Sequence, residues 1–154
     1  MKKKRMISLV VALSLILAFI PVLYVQAVGA TTWEWQTEAV YEGWVHNNQI
    51  DATCVADGWY TLHIPGTEDP NITSPAISID TSMYKTLEIT YRNQTGNSNA
   101  RLYWRNDGEG FSESKAVSFM TYTDGNVHTC QVNLAQLSNW TGTVTQIRLD
   151  PTTG

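Results

Sequence analysis

The chain has 154 residues, with ten basic and fourteen acidic side chains and a formal net charge of −4. Four of the basic residues fall in Lys2–Arg5, ahead of the apolar run Met6–Ile20 and the small-residue ends Val25-Gln26-Ala27 and Val28-Gly29-Ala30. That order predicts a secretory signal peptide, 1–27 or 1–30, whose removal leaves six basic against fourteen acidic residues and a net charge of −8. Such a balance argues against nucleic acid as a partner and against anionic membrane surfaces.

The apolar run is shorter than the roughly 20 residues a membrane-spanning helix needs, so cleavage is preferred to anchoring. The remaining residues, 31–154, are enough for one domain with one modest core. No segment has sustained helical periodicity. Short runs of alternating apolar and polar residues recur between Gly, Asn, Asp and Pro, the pattern of an all-β antiparallel sandwich.

Thr32–Gln36 reads as a first strand, with Trp33 and Trp35 on one face. Asp57-Gly58 is a hairpin signal, after which Tyr60, Leu62 and Ile64 alternate with Trp59, Thr61 and His63. Pro65-Gly66 ends that strand, Asp69-Pro70 opens a connection, and Pro75 suits a sheet edge. Ile77 and Ile79 alternate with Ser78 and Asp80, and Asp80–Met83 is a short turn. Leu87, Ile89 and Tyr91 share one face, as do Ala100, Leu102 and Trp104. The polar loop Asn93–Asn99 joins them. Val117 and Phe119 point inward from the next strand, and His128, Cys130, Val132 and Leu134 from the one after. Thr143–Asp150 closes the series, with Ile147 and Leu149 inward and Arg148 and Asp150 outward. About eight strands at this spacing suggest a jelly roll or a similar two-sheet β-sandwich.

Secretion makes a disulfide between Cys54 and Cys130 chemically feasible. Each also sits in an apolar strand context, where a lone Cys serves as a small buried hydrophobe. The sequence leaves both readings open.

Taken together, Trp33-Glu-Trp35, Glu42-Gly-Trp44, Ala56-Asp-Gly58, Glu68-Asp-Pro70 and Ile72-Thr-Ser-Pro75 stand in a characteristic order. They precede Tyr84–Ile89, Ala100–Trp104, Phe111–Phe119, Trp140-Thr-Gly142 and Gln146–Pro151. This ordered set resembles the galactose-binding-domain-like carbohydrate-binding-module jelly rolls of secreted bacterial polysaccharide-degrading and cell-surface proteins, over nearly all of 31–154. The resemblance implies a glycan ligand and a structural calcium near the first and last strands, for which Glu34, Glu42 and Asp150 are candidate oxygen donors. It also implies a further strand after Arg148-Leu-Asp-Pro151, where this sequence has only Thr152-Thr-Gly154, so a truncated last strand is expected.

Sugar recognition needs flat aromatic faces together with side chains that bond hydroxyls in pairs. Trp59 and Tyr103 lie out of phase with the apolar set of their strands, and Arg101 and Arg105 flank Tyr103 on its own face. The Arg101–Tyr103–Arg105 row offers a stacking platform between two guanidinium forks. Glu88, Arg92, Gln131, Asn133 and Arg148 are assigned to the same outward surface. The alternative for these residues is an ordinary solvated sheet face laced by cross-strand ion pairs.

Evidence for catalysis is thin. His46, His63 and His128 lack zinc spacing, and neither a Gly-x-Ser-x-Gly elbow nor a phosphate loop is present. The expected protein is therefore a secreted, extracellular, non-catalytic module that binds a polysaccharide or cell-wall glycan. The second expectation is a structural module that packs against neighbouring domains of a larger protein and binds no sugar. A small lyase or hydrolase is the third.

Overall fold

The computed structural model describes residues 31–66 and 68–153, so the predicted signal peptide lies outside the described residues. The described chain is all-β. Its strands are β1 (Val45–Asn47), β2 (Ala52–Ala56), β3 (Trp59–His63), β4 (Asn71–Thr73) and β5 (Ile79–Asp80), then β6 (Thr86–Arg92), β7 (Asn99–Asn106), β8 (Ala116–Met120), β9 (Val127–Asn133) and β10 (Thr143–Asp150). A single 3₁₀ turn, Glu113–Lys115, precedes β8.

Six strands form one antiparallel sheet in the order β1-β4-β10-β7-β8, with β5 also paired to β10. Two antiparallel ribbons, β2-β3 and β6-β9, complete the set. Their inner faces share a core: Leu102, Trp104, Val144 and Ile147 from the large sheet meet Val132 and Leu134, with Tyr60, Leu62 and Leu87 packed against them. Trp104 is fully buried, its ring edge-on to Trp140 with centroids 5.2 Å apart.

Local chemistry explains the elements that the alternation predicts. The β2-β3 hairpin pairs Ala56 with Trp59 across Asp57-Gly58. Both turn residues have positive φ, 53° and 75°, as the mirror-image turns favoured by strand twist require. In β10 a register shift lies between Val144 and Gln146. The bulge resets the alternation, so that Val144 and Ile147 both turn inward while Arg148 and Asp150 stay on the outer face.

Other expectations are corrected. Thr32–Gln36 is not a strand: Trp35 has a φ of 48°, which breaks the extended path. Its tryptophans still serve the core, Trp33 meeting Trp44 edge-on with centroids 4.9 Å apart. Ten strands replace about eight, because β1 and β4 are too short to show a period. β10 lies inside the large sheet, with β7 on one side and β4 and β5 on the other.

The cysteines are both free thiols. Cys54 is exposed on β2 opposite Thr61, whereas Cys130 stands on β9 opposite Ile89, in a different ribbon. Each thiol therefore belongs to a separate ladder, and burial pushes the Cys130 thiol pKa up.

Candidate functional site

The outer face of the β7-β10 pair carries the most organised polar chemistry of the described chain. Antiparallel register sets Arg101 opposite Asp150, Tyr103 opposite Arg148, and Arg105 opposite Gln146. Three residues chosen from β7 by phase thus meet three from β10, and opposed side chains on one face are close enough to interact.

Tyr103 sits at the centre of this row. The Arg148 guanidinium lies 4.9 Å from its ring centroid, and that of Arg101 lies 5.2 Å away. The phenol donates to Glu113 Oε1 at 2.8 Å, and Glu113 Oε2 accepts from Arg101 Nη2 at 2.6 Å. The expectation of an open stacking platform is corrected here. Tyr103 does face outward, but its neighbours cover it to 8% exposure, because flat guanidinium planes stack well on an aromatic face. It forms a floor for the site.

Arg148 is the hub. Its Nε and Nη2 donate to the two Asp150 carboxylate oxygens at 2.7 and 2.8 Å, a bidentate fork, and Nη2 also donates to Asp69. Asp150 is only 3% exposed. Burial pushes its pKa up, and outweighs the hydrogen bonds and charge of Arg148 that pull it down. Burial acts on Arg148 in the downward direction, yet the bonds and charge of Asp150, with the charges of Asp69 and Tyr103, hold its pKa above the ordinary value. Asp69 adopts a φ of 118°, a sparsely populated conformation of the kind that clusters at functional sites.

A cavity of about 290 Å³ opens over this arrangement, lined by Glu68, Asp69, Arg101, Tyr103, Asp150 and the Thr152-Thr153 pair. Two atoms in its walls have no hydrogen-bond partner, Arg101 Nε and the hydroxyl of Thr152, a residue 1% exposed. A second hollow of about 250 Å³, beside Tyr41, Trp44 and His46, includes none of the predicted site residues.

The other predicted residues fall elsewhere. Arg105 is at the far end of the β7 row, its Nε donating to Gln146 Oε1 at 2.9 Å and its guanidinium 5.6 Å from the Phe111 ring. Glu88 and Gln131 bond each other at 3.0 Å on the β6-β9 ribbon, and Trp59 on β3 lies under Arg92 at 5.7 Å. Leu87 and Val132, their neighbours in sequence, face the shared core, so Glu88 and Gln131 point away from the Arg101–Arg148 face. The single outward surface of the sequence reading is two surfaces.

The calcium donors are not brought together. Glu42 accepts from the backbone N–H groups of Trp35 and Glu34 at 2.7 and 3.2 Å, while Asp150 is held by Arg148. Among the described residues no group of three or more His, Cys, Asp or Glu side chains is placed to hold a metal ion.

Asp69, Glu113, Gln146 and Thr152 were not singled out as ligands of this face. Asp69 reads as a turn residue and Glu113 as a solvated acid. Only the β7-β10 register, which no local pattern encodes, shows what they meet.

Tyr103 provides a direct check. Burial first, and then the bond to Glu113, push its pKa up to about 12 from the ordinary 10.0. A phenol whose folded pKa is raised stabilises the fold fully below pH 10 and loses that contribution as pH rises through 12. In an alkaline absorbance titration, Tyr103→Phe should remove one late-ionising phenol. Tyr60, also raised by burial, remains.

No family model matches this sequence, and no similar curated protein was found. A structural likeness exists to a low-affinity xylan-binding module, CBM86, from the gut symbiont Roseburia intestinalis. It has 15% identity and a TM-score of 0.39, and covers 71% of this chain and 80% of that one. The likeness is too loose to assign a ligand or a family, and the site stands on its own geometry.

Proposed function

We propose that this chain is a non-catalytic glycan-binding β-sandwich of the jelly-roll type, secreted behind the signal peptide read from its first residues. The observation that carries the reading is the cavity floored by Tyr103 between two guanidinium groups, with the buried carboxylate of Asp150 beside it. An aromatic surface surrounded by paired charged donors and acceptors suits a polyhydroxylated ligand, whose hydroxyls donate and accept together. The acids are held in ion pairs or hydrogen bonds: Asp150 and Asp69 by Arg148, Glu113 by Arg101, and Glu68 by Gln49. That favours binding over proton transfer.

Affinity electrophoresis through gels containing soluble polysaccharides tests the reading. Retardation by at least one glycan is expected, and it should be lost in Arg101→Ala and kept in Gln131→Ala. A protein that no polysaccharide retards, or one whose retardation survives Arg101→Ala, contradicts it.

One observation favours a structural role beside this one. Val45 and Met120, on the two edge strands of the large sheet, are 56% and 67% exposed. Apolar side chains on sheet edges invite contact with a neighbouring domain.

A further inference from the structure

Arg101, which lines the cavity, and Arg148, beside it, both already hold carboxylates. Arg148 holds Asp150 with a two-pronged fork and reaches Asp69 as well, and Arg101 Nη2 is bonded to Glu113. Around them stand the carboxylates of Glu68, Asp69, Glu113 and Asp150, which outnumber the guanidiniums two to one. A ligand carboxylate entering here meets net negative charge, and each guanidinium already faces a carboxylate of the protein, an arrangement that disfavours an anion. An uncharged hydroxyl meets the opposite situation. Carboxylate oxygens have lone pairs left to accept from it, while Arg101 Nε and the Thr152 hydroxyl have no partner within the protein.

These two unpartnered groups sit within the wall, with almost no accessible surface. Arg101 is the movable part of that wall, because the carboxylate that holds it belongs to the exposed Glu113. A ligand reaches these groups only when the wall shifts, and we assign that shift to the Arg101 guanidinium. Size then limits what enters. About 290 Å³ falls just below the roughly 300–1,000 Å³ range of small-molecule sites, room for a single sugar ring rather than an extended chain.

Resting on the glycan reading above, we propose that this cavity takes one sugar residue of an uncharged glycan and discriminates against uronic acids, with Thr152 and Arg101 supplying hydroxyl contacts.

Calorimetric titration of the protein tests this, using neutral oligosaccharides of two to six units (gluco-, xylo-, manno- and galacto-series) beside oligogalacturonides of the same lengths. The neutral ligand that binds should change in affinity by less than about threefold from disaccharide to hexasaccharide, and the uronides should bind at least about tenfold more weakly. Thr152→Val should melt at the same temperature as the parent or higher, because its hydroxyl has no protein partner to lose. Its affinity should nevertheless fall several-fold. Uronides that bind as tightly as neutral sugars, or affinity that climbs up to the hexasaccharide, overturn the proposal while glycan binding stands. Undiminished binding by Thr152→Val overturns the assignment of that hydroxyl. Failure of every sugar to bind overturns both readings.

Discussion

Arg148→Ala will lower the unfolding free energy by about 3 kcal/mol and abolish retention by any glycan, measured by urea denaturation and affinity electrophoresis. The stability loss follows from what the arginine leaves behind. Asp150 is 3% exposed, and its two carboxylate oxygens accept from Arg148 Nε and Nη2. Without that fork a buried carboxylate faces Asp69 with no hydrogen-bonded partner and only the charge of Arg101 across the strand pair, and a buried ion stripped of its fork costs far more than a lost surface pair. The Asp69 end of the pair is 43% exposed on its side chain, so that arm contributes little by itself. The double variant Arg148→Met with Asp150→Leu should recover most of the stability, because it removes both charges and fills similar volume. It should not recover binding. A single variant as stable as the parent would show that Asp150 is not held as an ion.

The second large effect is in the core. Trp104→Ala should cost about 3–5 kcal/mol, the range for removing a large aromatic side chain from a packed interior. Trp104 is fully buried, packs edge-on against Trp140, and donates its indole N–H to Asn139 O at 3.3 Å. It also lies opposite Ile147, so its loss undermines β10, which carries Arg148 and Asp150. Trp104→Phe keeps much of the volume but leaves Asn139 O without this donor, and should fall between the parent and the alanine variant. Equilibrium denaturation reads both. A loss below about 1 kcal/mol for Trp104→Ala would place the core elsewhere.

The sequence made the long strands legible. β6, β7 and β9 alternate over seven or eight residues and β10 does so beyond its bulge, enough for a period of two to show, and Asp57-Gly58 announced its hairpin. Strands of three residues show no period, which is why β1 and β4 went unseen and why the connection after Asp69-Pro70 concealed β4. The tryptophan pair at Trp33 and Trp35 alternates like a strand but is held by the Glu42 carboxylate bonding to backbone N–H groups.

Half of the site was legible for the same reason. Phase along β7 identified Arg101, Tyr103 and Arg105 as one outward row, and phase along β10 identified Arg148 and Asp150. Phase says which face a residue takes within its strand. It does not say which strands are neighbours, so Glu88 and Gln131 were grouped with a surface from which they point away. Nor does it say how crowded a face is, and Tyr103 became a covered floor once Arg148 reached it from β10. Register supplied what phase lacked: opposite Tyr103 stands Arg148, and opposite Arg101 stands Asp150.

The measurement that tests the account most directly is backbone amide chemical-shift mapping during titration with the neutral oligosaccharides. Glycan binding at this cavity predicts saturable shifts centred on Arg101, Tyr103, Asp150 and Thr152, with Glu88 and Gln131 unmoved. Spectra that no sugar perturbs, or shifts centred on the β6-β9 ribbon, would contradict it.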